Sequence, residues 1–253
     1  MKRMIFTGIL ALTAGLSGPM AQAAQPQAAQ PKIKSNGERK AVLAIQSATE
    51  PDAIIKAAED LLSNYADSDY KEYALTMEAK AYQMKHDDEN SQVFADRVLQ
   101  INAKAYTMQL LIAEAMTPNI KEHDLNRDEE IAKATKLFND AIENAKVAVK
   151  PNPQVSDADW EQGKKWAMAE AHNGLGMLAS LQKNKQDDAI KEFQLAVDSD
   201  PDQDAYNTRL ANAYLVAGKK AEAIAICDKL LAKPNLHPTI KQVVTNIKNN
   251  ASR

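Results

Sequence analysis

From Glu38 onward the chain follows one pattern. Ala and Leu recur at i, i+3, i+4 and i+7, and the alternation expected of strands is absent. Stretches of helix length are cut by short polar turns. This pattern predicts an all-helical domain, and long helical chains call for a search for internal repeats. A repeat is present. Ala189, Phe193 and Ala196 are matched 34 residues later by Ala223, Cys227 and Leu230. Ala79 and Tyr82 are matched 34 residues later by Ala113 and Met116.

The clearest unit is 210–231. Leu210, Ala211 and Tyr214 share a face of its first helix. A turn follows at Gly218-Lys219-Lys220, and Ala223, Ile224, Cys227, Leu230 and Leu231 mark its second helix. Residues 175–201 repeat the arrangement with one extra residue in the turn. The pattern weakens towards the N-terminus. Residues 70–103 keep Ala79 and Tyr82, then Ser91, Ala95 and Val98. Residues 38–66 offer Val42, Ile45, Ile54, Ala58 and Leu61. In 104–150 the second helix, with Ala134, Phe138 and Ala141, arrives nine residues late, after an expected extended loop from Thr117 to about Arg127.

These residues resemble the tetratricopeptide repeat (TPR). The resemblance covers about 38–250 and is most specific over 170–235. It implies that Gly176 and Ala211 let the partner helix approach, that Ala189 and Ala223 sit at the same crossing, and that Phe193 and Cys227 fill the gap to the next repeat. It also implies an all-α, right-handed superhelical solenoid of antiparallel helix pairs. The expected units are 38–66, 70–103, 104–150, 156–201 and 202–235. A capping helix at 237–250 carries Ile240, Val243, Val244 and Ile247 on one stripe, and a polar outer face suits the end of a stack. An irregular helical bundle is the alternative.

Residues 156–182 depart from a simple repeat. Ser156 and Asp159 resemble a capping box, and the helical pattern then runs to Gln182. Trp160 and Trp166 lie six residues apart, hence on different faces. Either both pack against the long helix at 128–149, or one marks a partner-binding patch.

Composition narrows the class. Aromatics are 5%, and Gly and Pro number 8 and 10, which favours helix packing through small residues. One Cys excludes an internal disulfide framework. The net charge of −3 gives no electrostatic case for nucleic acid. Residues 1–23 read as a signal peptide: Lys2 and Arg3, an apolar stretch from Ile5 to Leu16, then Ala21-Gln22-Ala23 as a small-x-small cleavage site. An N-terminal buried helix or an uncleaved anchor is the alternative. Cleavage would take the net charge from −3 to −5 by removing Lys2 and Arg3. The expected product is exported, hence periplasmic or secreted. Residues 24–37, rich in Gln, Ala and Pro, read as a flexible linker.

Reactive constellations are sparse. His86, His123, His172 and His237 form no helical pair with metal-ligand spacing. Cys227 occupies the repeat position of Phe193, which favours a buried, inert thiol. Asp124, Asn126 and Asp128 alternate as in a calcium loop but lack its turn Gly and its last Glu. No phosphate loop or Ser nucleophile motif occurs, so no enzyme, cofactor or metal is expected. In proteins of the resembled family, first-helix side chains line a concave surface that binds partners. Register transfer then implies a groove-facing set of Thr76, Lys80, Met84, Glu114, Asn173, Met177, Thr208 and Asn212. Their mix implies an uncharged or amphipathic peptide rather than an acidic tail. The expected function is a noncatalytic exported scaffold for a protein or peptide partner, in envelope complex assembly. A self-associating module using the Trp-bearing helix is the alternative, and an enzyme or small-ligand binder is the third reading.

Overall fold

In a computed structural model, residues 31–150 and 155–253 are described. The signal peptide expected at 1–23 lies outside them. Among the described residues there are helices and turns and no strand. The helices are α1 (Asn36–Ser47), α2 (Pro51–Asn64), α3 (Lys71–Met84), α4 (Asp88–Ile101), α5 (Tyr106–Met116), α6 (Arg127–Val147), α7 (Asp157–Ser180), α8 (Gln186–Ser199), α9 (Asp204–Val216), α10 (Lys220–Leu231) and α11 (Pro238–Ala251). The chain divides into two compact units. Among the described residues, the first comprises 31–108 with 147–150 and 155–162, and the second comprises 109–146 with 163–253.

Local chemistry sets the helix ends. Pro51 and Pro238 open α2 and α11, where a missing N–H costs nothing. Asp87 accepts from the backbone N–H of Asn90 at 3.1 Å and caps α4. Ser156 accepts from the Asp159 N–H at 3.0 Å and donates to its carboxylate at 2.6 Å, capping the start of α7 where a capping box was expected. Three inter-helix turns share one backbone device. His86, Asn184 and Gly218 each stand two residues before a second helix, with φ of 57°, 61° and 75°. At two of them the next residue closes back over the helix end, Asp87 to the Tyr82 carbonyl at 3.0 Å and Lys219 to the Tyr214 carbonyl at 2.9 Å.

In the first unit, α2 packs against both α1 and α3, and α3 packs against α4. Its core joins Val42, Ile45, Ile54, Ala58 and Leu61 to Ala74, Met77 and Ala81. Alanines at these crossings let backbones approach without large side chains. In the second unit, Ala179, Ala189, Ile190, Phe193, Leu210 and Ala213 form one cluster. Ala211, Cys227, Leu230, Val244 and Ile247 form the next, so α11 covers α9 and α10. Two glycines of α7 mark close approaches. A Cβ on Gly174 would lie 2.1 Å from Phe138 Cζ, and one on Gly176 would lie 2.6 Å from Phe193 Cδ1 and Cε1. Cys227 is fully buried, and burial pushes its thiol up from the ordinary value.

The segment expected as a flexible linker is anchored where it is described, and this corrects that expectation over 31–37. The Lys32 N–H donates to Asp69 at 3.1 Å, and Lys34 reaches the Asp67 carbonyl and carboxylate. Ser35 caps α1 by accepting from the Glu38 N–H at 3.0 Å. Glu38 is buried, accepts from the Ser68 hydroxyl at 2.6 Å and also accepts from the Lys34 N–H. Those hydrogen bonds, the Ser68 one foremost, hold its carboxyl below the usual range. The stretch is polar enough to look unpinned in sequence, but its partners come from the turn between α2 and α3.

Candidate functional site

The first helices of the pairs carry the candidate residues, and each unit has its own set. In the first unit, Thr76, Lys80 and Met84 succeed one another at one-turn spacing on α3. Thr76 and Lys80 are half-buried, and Met84 is 42% exposed. Burial pulls the Lys80 ammonium below its ordinary value. Tyr73, one turn before Thr76, is half-buried, and burial raises its hydroxyl. It belongs to the same face, and its i−3 spacing from Thr76 was the signal that the repeat register alone passes over.

In the second unit, Asn173 and Met177 lie one turn apart on α7, and Thr208 and Asn212 one turn apart on α9. Asn212 is exposed, while Glu114, Asn173, Met177 and Thr208 are half-buried. The structure joins α7 and α9 through a residue absent from the sequence-derived set. Arg209 Nη1 donates to Asn173 Oδ1 at 2.9 Å, which turns the Asn173 amide nitrogen towards Met177 Sδ at 3.9 Å. Burial holds the Arg209 guanidinium below its ordinary value. Thr208 is less available than its register suggests, since its hydroxyl donates to the Asp204 carbonyl at 2.7 Å. The exposed Leu181, just past the end of α7, and Val216, the last residue of α9, follow the two rows at the next four-residue step, so each row runs from polar to apolar.

The tryptophans separate as their spacing requires. Trp160 is half-buried and Trp166 is 44% exposed. The expectation that both pack away is corrected for Trp166, because the turn of α7 that carries it buries Ala167 and Ala169 instead.

Among the residues weighed for chemistry, His172, Asp124 and Asn126 are engaged in structural contacts. His172 Nδ1 lies 2.7 Å from Glu192 Oε2, tying α7 to α8. Asp124 accepts from the Lys121 N–H at 2.7 Å, and Asn126 donates to Glu130 at 2.7 Å, so this stretch is a closed turn. No group of three or more His, Cys, Asp or Glu able to hold a metal occurs among the described residues. No helix among them is long and apolar enough to cross a membrane.

The family model for the plant-specific mitochondrial import receptor subunit TOM20 matches residues 104–226. No curated protein matches the chain. Among solved structures, the chain is similar to TTC0263, a thermophilic TPR protein of Thermus thermophilus, at 17% identity and a TM-score of 0.53, over 84% of this chain and 97% of that one. It is similar to the assembly chaperone of RpL4, Acl4, at 10% identity and a TM-score of 0.58, over 84% and 82%. It is also similar to a MamA RS-1 ArsTM double mutant, at 11% identity and a TM-score of 0.52, over 86% and 97%. Together with the paired helices and the small residues at their crossings, these likenesses identify the fold as that of the tetratricopeptide repeat.

Proposed function

We propose that the protein is a noncatalytic exported scaffold that holds a protein or peptide partner on the first-helix faces of its repeats and serves in assembling an envelope complex. The TPR fold generally mediates interactions between proteins. The observation that carries the reading is the pairing of α7 and α9. Arg209 orients the Asn173 amide, while Asn212, Leu181 and Val216, further along the two rows, remain exposed. An amide can both donate to and accept from a peptide backbone. Apolar groups one turn away suit an amphipathic chain. Export is supported by Lys2 and Arg3, the stretch from Ile5 to Leu16 and Ala21-Gln22-Ala23.

Capture of a partner from envelope extract by the mature chain tests the reading. Lys80→Ala and Asn212→Ala should each weaken capture. Capture that ignores both changes and requires Trp166 would reject the first-helix faces. The N-terminal sequence of the protein from fractionated cells tests export: a start at Ala24 supports it, and an intact Met1 in the cytoplasm rejects it. A second reading, self-association through α7, rests on the exposure of Trp166. Light scattering that shows a monomer at high concentration removes it.

A further inference from the structure

The first unit contains a buried carboxyl that no hydrogen bond satisfies and that the proposed function does not use. Glu78 stands on α3 between Ala74 and Tyr82, one turn from each, on the face that α3 turns to its neighbours. Its relative exposure is 0%, and neither carboxylate oxygen has a hydrogen-bond partner. Buried carboxylates are ordinarily paired, because an unpaired charge taken out of water is costly. The nearby cation does not fill that role. Arg97 of α4 places its guanidinium over the Phe94 ring, 5.0 Å from the centroid, and Phe94 in turn stacks on Tyr82 at 5.4 Å. The other charge acting on Glu78 is Glu59 of α2, which repels it. Tyr82, one turn along α3, is the remaining titratable neighbour, and α1 brings no group to bear.

We propose that Glu78 is a proton-operated packing element: as the neutral acid it seals α3 against α2 and α4, and on losing its proton to solvent it loosens that contact and shifts the Thr76–Lys80–Met84 face. The coupling is direct, because Glu78 lies between Thr76 and Lys80 on one rigid helix. Burial first, and then Glu59, raise the carboxyl from 4.5 to about 7, with Arg97 opposing. The sign follows. The folded chain holds this proton more tightly than the unfolded chain, so its stabilising effect is complete below pH 4.5 and is lost as pH rises through 7. A separation from 4.5 to about 7 corresponds to a change on the order of 300-fold in the unfolding constant of the first unit. The regulatory meaning rests on the first-helix faces being the binding surface, but the gating itself does not.

Two measurements on the full chain test the gating without any partner. Carbon-detected NMR titration of the wild-type carboxyls needs no variant. A Glu78 midpoint near 7 supports the proposal, and one near 4.5 overturns it. Hydrogen exchange, corrected for intrinsic rates, should show residues 71–84 opening more at about pH 8 than at about pH 6, while α9 to α11 hold steady. Glu78→Gln keeps the volume and removes the charge, so it should abolish that difference. An unchanged pH response in Glu78→Gln, or an equal response in both units, overturns the proposal. If the gating holds and Lys80→Ala still leaves partner capture intact, the proposed binding surface fails instead.

Discussion

Helix α7 carries three glycines, and their surroundings set opposite outcomes for one substitution. Gly163 has open space where a Cβ would go. Replacing it with Ala should stabilise the protein by up to about 1 kcal/mol, the helix-propensity difference alone. At Gly174 the new Cβ would meet the Phe138 ring, with both Cε atoms at 2.5 Å. Carbon atoms settle at about 3.5–4.0 Å, so the ring must retreat by about 1 Å or more. Phe138 is fully buried and has nowhere to go. Overpacking of that kind costs about 1–3 kcal/mol, against about 1 kcal/mol gained in propensity. Gly174→Ala should therefore destabilise by about 0–2 kcal/mol net, and the two variants should differ by the overpacking cost, about 1–3 kcal/mol. Urea melts followed by circular dichroism read both midpoints. Phe138→Leu, which vacates the ring edge, should relieve part of the Gly174→Ala cost in a double-mutant cycle. If Gly174→Ala is as stabilising as Gly163→Ala, the close approach of α6 to α7 does not exist and the reasoning fails.

Three further outcomes follow from particular contacts. His86 occupies the left-handed turn position that Gly218 fills elsewhere, so His86→Gly should raise the thermal midpoint, with a gain of about 1 kcal/mol. Glu38 is held ionised by Ser68 and the Lys34 N–H, so its contribution is present above pH 4.5 and is lost as pH falls through its lowered value. Glu38→Gln should cost about 1–3 kcal/mol at neutral pH and flatten the acid limb of a pH–stability profile. An equally steep limb in the variant would deny the docking of 31–35. Arg209→Met keeps the apolar stem and removes the bond to Asn173, which should cost about 1–2 kcal/mol in urea melts and change the Asn173 side-chain amide signals in NMR spectra.

The sequence made the repeat legible wherever a large residue met a small one. Phe193 over Gly176 and Cys227 beside Ala211 announce crossings because only such pairs let two helices close. What escaped depended on partners distant in sequence or on groups of the unexpected polarity. Glu78 sits on an apolar stripe, but a carboxylate there reads as a helix turned to solvent until burial is known. Arg209 is one position beyond the register that placed Thr208, and its link to Asn173 spans 36 residues. The turn position of Gly218 is advertised by its residue type, whereas His86 and Asn184 adopt the same backbone without a glycine to announce it. The docked segment 31–35 looks unstructured in composition because its anchors, Asp67 and Asp69, belong to a turn that lies 30 or more residues away.

The central claim is that first-helix side chains meet the partner. A photo-crosslinking residue placed at Asn212 on α9, at Met84 on α3, or at the exposed Lys229 on α10 tests it in envelope extract. One discrete adduct with the same second protein is expected from the Asn212 and Met84 sites and none from Lys229. Adducts from Lys229 alone, or adducts only between copies of this chain, would contradict it.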